Sequence, residues 1–229
     1  SDRLSKPRIW YLPTSSHTET VFTDEAYARL LRNFDVTANE TMDPITEAQI
    51  EAKIAGYDGI ITGWGTVPLS DEALRRAERL KIVAHSAGSV KYLFTDEGGS
   101  ERLIPKDVCV VSANRAIALN VAEHTGGALI AVGREWFSMS QYIRESDGWR
   151  EGSPPRTSRF LRGACVGLIS ASTVAREVIR LLQPFDVDIR LYDPYISDWE
   201  AGRLGITLNP LEQVFRDADM VSVHAPSIP

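Results

Sequence analysis

The strongest constraint on the fold is a strand, turn, helix and strand pattern across residues 161–195. An apolar run at residues 165–169 is followed by a small polar turn, and residues 173–182 then repeat apolar side chains at helical spacing. A second apolar run, residues 188–192, ends in Asp193. This order predicts a βαβ unit, in which a helix joins two parallel strands and packs on their sheet.

The turn and the acid of this unit have the spacing of a dinucleotide site. Asp193 lies 23 residues beyond Ser170, at the end of the second strand. In such folds the N–H groups of the turn and of the helix N-terminus bind pyrophosphate, and the acid accepts hydrogen bonds from ribose hydroxyls. Because the acid repels the 2′-phosphate of NADP, NAD is the predicted cofactor. The predicted pyrophosphate-binding residues are Ser170, Ala171, Ser172, Thr173 and Val174.

The glycine fingerprint of such sites is replaced in this chain. Where G-x-G-x-x-G is expected, the sequence has Ser170, Ser172 and Ala175. Ala175 is a mild change, since the third position needs only a small side chain. The two serines restrict φ and hold the backbone farther from a pyrophosphate, although a hydroxyl can itself donate to phosphate. A helix packed on a strand through small residues is the alternative interpretation of this segment.

The rest of the chain alternates strand and helix patterns, which indicates an α/β protein with a mostly parallel sheet. A loop of small residues, 86–90, follows one strand, and such loops are where α/β sheets bind ligands. The predicted strands are residues 8–12, a start at 34–36, 59–62, 80–85, 108–111, 206–208 and 218–224. The predicted helices are residues 25–33, 46–54, one that begins at 70–72, and 210–216.

A long helical pattern covers residues 120–141 and contains the pair Gly126 and Gly127. Each glycine costs about 1 kcal/mol in a helix relative to alanine, so close packing against another backbone, of this chain or of a second subunit, is the predicted reason for the pair. Residues 146–155 are rich in glycine, proline and polar side chains and are the predicted domain boundary.

Composition narrows the classes of function. The net charge of −6 and the pI near 5.3 argue against a nucleic-acid partner, which needs a basic surface. The longest apolar runs, residues 128–132 and 165–169, are far shorter than a membrane span, and no apolar signal core follows the N-terminus. We therefore expect no membrane segment and a cytoplasmic location. Cys109 and Cys165 lie in apolar strands and are predicted to be buried thiols.

Four segments together resemble the D-2-hydroxyacid dehydrogenase family: residues 80–90, 110–134, 161–195 and 217–226. The second contains Val121-Ala122-Glu123-His124, and the order and spacing agree across about residues 60–229. The resemblance implies a flavodoxin-like N-terminal substrate domain followed by the first half of a Rossmann NAD-binding domain. The implied boundaries are residues 1–118 for the substrate domain, 119–145 for a long connecting helix and 146–229 for the partial NAD-binding domain.

The resemblance also implies roles for residues at strand exits. Backbone N–H groups of a loop in the first domain bind the substrate carboxylate, and the long helix packs across a homodimer interface. The substrate is a small 2-hydroxy or 2-keto acid. The implied substrate-binding residues are Ala87, Gly88 and Ser89. The implied cofactor-binding residues beyond the turn are Asp193, Pro194 and Tyr195 on the adenosine side and His224, Ala225 and Pro226 on the nicotinamide side.

No catalytic residue and no metal ligand is assigned. The family places an Arg, an acid and a His beyond the position that matches residue 229, and hydride transfer needs such a base and cation. His85, His124 and His224 are interpreted as structural. The leading hypothesis is an NAD-dependent oxidoreductase that lacks its C-terminal part, with residues 226–229 in a loop beside an open sheet edge. The alternatives are a non-catalytic remnant that binds nucleotide or dimerises, and a structural module independent of nucleotide.

Overall fold

The computed structural model describes residues 6–96, 98–102, 104–146 and 158–226. The chain divides into two compact units, Ser1–Ile117 and Ala118–Pro229. The predicted boundary passage at residues 146–155 lies, apart from Ser146, outside the described residues.

The first unit is built on a five-stranded sheet whose neighbouring strands are all parallel. Its strand order is β2-β1-β3-β4-β5, which is the doubly wound order of flavodoxin-like folds. The flavodoxin-like prediction is therefore confirmed. The strands are β1 (Arg8–Tyr11), β2 (Asp35–Ala38), β3 (Gly59–Thr62), β4 (Ile82–His85) and β5 (Cys109–Ser112).

The helices of this unit begin at side chains that cap their free N–H groups. Thr23, Thr46 and Ser70 each accept a hydrogen bond from the N–H three residues later, and Thr46 forms a full capping box with Gln49. The first helix was not predicted, since residues 15–21 are mostly polar. The helices are α1 (Ser15–Val21), α2 (Asp24–Asn33), α3 (Glu47–Lys53) and α4 (Asp71–Arg76).

Successive side chains along β1 and its exit point to opposite faces of the sheet and contribute to the apolar core on each face. Trp10 and Leu12 join one apolar cluster, whereas Ile9 and Tyr11 join a second cluster. All four are buried. A central parallel strand is covered on both faces and therefore reads as an unbroken apolar run.

The prediction that both cysteines are buried is wrong for Cys109, which is exposed. Cys109 opens β5, an edge strand, so one side of the strand has no neighbour in the sheet. Cys165, on an inner strand, is half-buried, and both thiols are free.

The second unit has a four-stranded parallel sheet with the order β8-β7-β6-β9. In sequence order this is 3-2-1-4, the first part of the Rossmann arrangement, as predicted. The strands are β6 (Cys165–Ile169), β7 (Asp188–Tyr192), β8 (Thr207–Leu208) and β9 (Met220–Val223). The helices are α5 (Asn114–Gly133), which begins in the first unit, α6 (Trp136–Glu145), α7 (Thr173–Leu182), α8 (Asp198–Arg203) and α9 (Leu211–Asp217).

The core of the second unit forms between β6 and α7. Val166 and Leu168 are fully buried in the strand, and Val178, Ile179 and Leu182 pack against the same cluster from the helix. The spacing of the helix residues is that of one helical face. The predicted βαβ unit is therefore confirmed.

The long helix of the sequence prediction is two helices. Glu135 has φ 52°, a left-handed conformation that interrupts the helical hydrogen-bond ladder between α5 and α6. Gly126 and Gly127 lie inside α5, and a Cβ at either position meets nothing within 4 Å. Close packing against another backbone is therefore not seen within the described chain, and packing against a second subunit stays a prediction.

By length and composition α5 could cross a membrane, and it is the only described helix with this property. A core helix of a soluble protein passes the same test, so this is weak support for a membrane span. Four of its buried residues repeat at helical spacing along one face, namely Ala118, Ala122, Thr125 and Leu129. That stripe is the pattern of a helix that packs on a core.

Gly167 in β6 provides a test of this packing. A Cβ there lies 2.6 Å from Cγ1 of Val214 and 3.1 Å from Cβ of Ala218, so helix α9 lies directly on the strand. We expect Gly167→Ala to lower the free energy of unfolding by about 1–3 kcal/mol through overpacking. Urea unfolding followed by circular dichroism measures the change.

Gly202 is the matched control, because a Cβ there meets nothing within 4 Å and the residue lies in helix α8. We expect Gly202→Ala to leave stability unchanged or to raise it by up to about 1 kcal/mol. Equal stabilities of the two variants would contradict the close approach of α9 to β6.

Candidate functional site

The turn after β6 has the conformation that the fingerprint demands, despite its serines. Ser170 has φ 78°, in the left-handed region where glycine is favoured. Its backbone N–H donates to the carbonyl of Tyr192 on β7 at 2.7 Å. Ser170, at the first fingerprint position, therefore has the backbone geometry of the turn. Its Cβ makes this conformation less favourable than it would be for glycine.

Asp193 binds the turn directly. Its Oδ2 accepts from the N–H of Ala171 at 2.6 Å and from the Ser170 hydroxyl at 3.3 Å, while Oδ1 accepts from the N–H of Tyr195 at 2.7 Å. An ionised carboxylate offers about four acceptor positions, so three donors leave it close to satisfied. Asp193 joins the exits of β6 and β7 into one structure.

Ser172 caps helix α7, with its hydroxyl accepting from the N–H of Ala175 at 3.4 Å. Ala175 is completely buried, which explains why the third fingerprint position needs a small residue. The N–H groups of Ser172, Thr173 and Val174 donate to no other described residue. They form an open set of donors at the positive end of a ten-residue helix.

A cavity of about 360 Å³ lies at these strand exits. Eight of the predicted cofactor residues line it: Ser170, Ala171, Ser172, Asp193, Pro194, Tyr195, Ala225 and Pro226. Thr173, Val174 and His224 are not among its lining residues. His224 is instead half-buried, with a hydrogen bond of 3.0 Å between its Nε2 and the Ser222 hydroxyl, and its backbone N–H donates to Ile169.

The loop after β4 in the first unit also presents open donors. The backbone N–H groups of Ala87, Gly88 and Ser89 donate to no other described residue. The carbonyl of Ala87 accepts from the N–H of Ala113, and the Ser89 hydroxyl accepts from the N–H of Lys91. These predicted substrate residues are therefore brought together in a loop whose N–H groups remain available to a ligand.

A buried polar cluster lies under this loop, and sequence reasoning missed its first member, His17. His17 is 6% exposed and His85 is 3% exposed. Nε2 of His17 lies 2.8 Å from the Ser86 hydroxyl, and Nδ1 of His85 lies 2.9 Å from the Thr62 hydroxyl. His17 follows the exit of β1 by a few residues, as the predicted loop follows β4, and that position was the signal that could have found it.

Burial controls the charge of this cluster. It lowers the pKa of His17, and it lowers the pKa of His85 together with repulsion from His17. Burial also raises the pKa of Tyr92, which keeps its hydroxyl protonated to donate to the Gly63 carbonyl at 3.0 Å. The cluster is therefore neutral near pH 7.

The described residues contain no group of three or more His, Cys, Asp or Glu that could hold a metal ion. No His of the described ranges forms an ion pair with a carboxylate. His85 and His224 are hydrogen-bonded, to Thr62 and Ser222 respectively, and their interpretation as structural residues stays a prediction.

The lowered pKa values of His17 and His85 predict that the free energy of unfolding decreases at acidic pH. The unfolded chain takes up a proton at each His near pH 6.5, whereas the folded cluster takes it up only at lower pH. The unfolded state therefore binds more protons below that value, and the free energy of unfolding decreases as pH falls through 6.5. Urea midpoints at pH 7.5, 6.5 and 5.5 measure this decrease.

His17→Gln isolates the contribution of one ring, because glutamine does not titrate in this range. The variant is expected to lose less stability than the parent chain between pH 7.5 and 5.5. Identical losses in both proteins would show that His17 is not held neutral by burial.

Comparison with known proteins identifies the second unit. Residues 127–229 match the family model described as the D-isomer specific 2-hydroxyacid dehydrogenase, NAD binding domain. A D-3-phosphoglycerate dehydrogenase of Mycobacterium tuberculosis is 30% identical over 158 residues, which are 69% of this chain and 28% of that protein. The chain thus spans well under half the length of this relative.

Solved structures share the fold. A phosphoglycerate oxidoreductase from Rhizobium etli is 22% identical with a TM-score of 0.70, and the match covers 95% of this chain and 66% of that chain. An acyclic imino acid reductase solved with NADPH and D-Arg is 19% identical with a TM-score of 0.73, covering 96% and 66%. With the βαβ turn and its terminal acid, the matches show that residues 127–229 are an NAD-binding domain of the D-isomer-specific 2-hydroxyacid dehydrogenase family.

Proposed function

We propose that this chain binds the substrate and the cofactor of an NAD-dependent dehydrogenase that transfers hydride between a 2-hydroxy acid and a 2-keto acid. The observation that carries the proposal is the cavity at the exits of β6, β7 and β9. It is lined by the predicted turn and by Asp193, the residues that a dinucleotide site requires.

The residues present fit NAD. The open N–H groups of Ser172, Thr173 and Val174 suit the two negative charges of a pyrophosphate. Asp193 lies at the rim expected for adenosine ribose, where its remaining acceptor capacity and the long bond from Ser170 can be taken by ribose hydroxyls. When bound, NAD supplies the hydride acceptor, and the chain contributes binding and orientation.

The loop of Ala87, Gly88 and Ser89 is the proposed carboxylate site for the substrate. Open backbone N–H groups in a short loop bind anions through charge-assisted hydrogen bonds. Gly88 is half-buried and Ser89 is exposed, so a small acid can reach the loop from solvent. A 2-hydroxy or 2-keto acid carries the carboxylate that such a loop selects.

A second candidate function is a non-catalytic module that binds nucleotide or dimerises. It is supported by the two fingerprint serines, because the Ser170 hydroxyl donates to Asp193 and the Ser172 hydroxyl accepts from the N–H of Ala175 at the helix N-terminus. No general base and no substrate-binding cation is assigned to a described residue. A cytoplasmic location remains a prediction.

Association of two copies is the third element of the proposal. Large apolar side chains are exposed on α5 and α6, with Val132 at 60%, Trp136 at 58% and Phe137 at 75%. Exposed apolar residues concentrated on neighbouring helices mark association surfaces. We assign this face to a homodimer, in agreement with the implied role of the long helix.

Calorimetric titration of NADH into the chain tests the nucleotide proposal. We expect binding with a dissociation constant on the order of micromolar, and weaker binding of NADPH because Asp193 repels the 2′-phosphate. Asp193→Asn should weaken NADH binding at least about tenfold, since it loses a charge-assisted acceptor. A panel of 2-keto acids with NADH then measures turnover.

Asp186→Asn is the matched control, because Asp186 lies in the same unit and its exposed side chain forms a long ion pair with Arg162, whereas its backbone hydrogen bonds are kept in the variant. It should bind NADH as the parent chain does. NADH binding without turnover supports a chain that carries the site but not the catalytic groups. Absence of binding by the parent chain contradicts the nucleotide proposal and leaves the dimerisation module.

Sedimentation equilibrium tests the homodimer. We expect the parent chain to associate and Phe137→Glu to weaken association at least about tenfold by placing a charge in the apolar face. Lys106→Gln, far from this face in sequence, controls for the change in net charge, because both substitutions lower it by one. A parent chain that stays monomeric throughout the measured concentrations contradicts the assignment.

A further inference from the structure

We infer that His17 is a positioning residue for the loop of Ala87, Gly88 and Ser89, in a single tautomer that the hydrogen bonds dictate. This inference rests on the proposed role of that loop in binding the substrate carboxylate. His17 comes from the segment after β1, so it contributes to the loop from a distant part of the sequence of the first unit.

The tautomer follows from proton counting. The Ser86 hydroxyl lies 2.8 Å from the carbonyl of Thr62, and a carbonyl can only accept, so the single hydroxyl proton goes there. The 2.8 Å contact between Nε2 of His17 and the same hydroxyl then needs its proton from the ring. His17 is therefore the Nε2–H tautomer, and its Nδ1 carries a lone pair.

Burial keeps the ring in that neutral form. Nδ1 of His17 is buried and has no hydrogen-bond partner among the described residues. A proton added there would place a charge inside the cluster without an acceptor, beside His85. The groups that contact His17 are neutral or apolar. The Trp64 ring meets it edge-on, and the Ser86 hydroxyl accepts a hydrogen bond from its Nε2–H.

The ring also fits its place sterically. A Cβ on Gly63 would lie 2.5 Å from Nε2 of His17, so the imidazole lies directly on a backbone that has no side chain. Gly63 is itself fixed, because its N–H donates to Thr66 and its carbonyl accepts from Tyr92. His17 thus rests on the rigid exit of β3 while it donates to the loop after β4.

The consequence for the loop is direct. Both the N–H and the hydroxyl of Ser86 donate to Thr62, and His17 donates to that hydroxyl from the other side. Ser86 immediately precedes Ala87, whose side chain is fully buried. Fixing Ser86 therefore fixes the direction in which the next three N–H groups point, and a carboxylate needs those directions to converge.

Nuclear magnetic resonance on the isotope-labelled chain tests this inference. We expect nitrogen chemical shifts of His17 typical of the Nε2–H tautomer, and pyruvate, a 2-keto acid, should shift the amide signals of Ala87, Gly88 and Ser89. His17→Gln keeps a neutral N–H donor near the position of Nε2 and should retain pyruvate affinity within about twofold. His17→Leu removes the donor and should weaken it at least about tenfold.

His124→Leu is the control for loss of a histidine, because His124 is exposed on α5 in the other unit. Its pyruvate affinity should equal that of the parent chain. The inference is overturned by an Nδ1–H tautomer at His17, or by a His17→Leu variant with unchanged loop signals and unchanged affinity. If His17→Leu does not fold, Ser86→Ala removes the same link with less loss of packing and must show the same weakening.

Failure of the proposed function is separable from failure of this inference. If the parent chain binds no pyruvate, the carboxylate site is wrong, and amide hydrogen exchange of Ala87, Gly88 and Ser89 then decides the positioning role. Faster exchange in His17→Leu, but not in His17→Gln, supports it. Equal exchange rates in all three proteins overturn it.

Discussion

Both units depend on the register of their parallel strands, which end level with one another. In the second unit Ile169, the last residue of β6, is level with Tyr192 of β7 and with Val223 of β9. In the first unit Thr62, at the end of β3, is level with His85, which is level with Ser112 of β5. Strands that end together place the loops that follow them side by side, so residues distant in sequence meet at one sheet edge.

In the turn after β6, side-chain hydrogen bonds stabilise a conformation that glycine adopts without them in the G-x-G-x-x-G motif. Ser170 adopts a left-handed backbone conformation, and its hydroxyl donates a hydrogen bond to Asp193. Ser172 turns its hydroxyl to the helix N-terminus. The turn is thereby kept by hydrogen bonds among its own polar groups, whereas glycine would keep it by conformational freedom alone.

In the first unit, polar side chains are buried where the strands of the sheet end. His17, Thr62, His85 and Ser86 are bonded to one another, so most of their polar atoms are satisfied without water. Such a network is costly to leave incomplete and therefore specifies one arrangement of the loops around it. The open N–H groups of the neighbouring loop depend on that arrangement.

The sequence alone determined the order of the strands, the βαβ unit and the acid at Asp193, because apolar periodicity and turn residues are local signals. Eight of the residues that it predicts to bind the cofactor line one cavity, since the ends of parallel strands converge. It could not reveal the break at Glu135, the exposure of Cys109 at a sheet edge, or the polar helix α1. The contact of His17 was likewise invisible, because its partner Ser86 lies 69 residues away. Only the tertiary structure brings a donor and an acceptor so far apart in sequence within 2.8 Å.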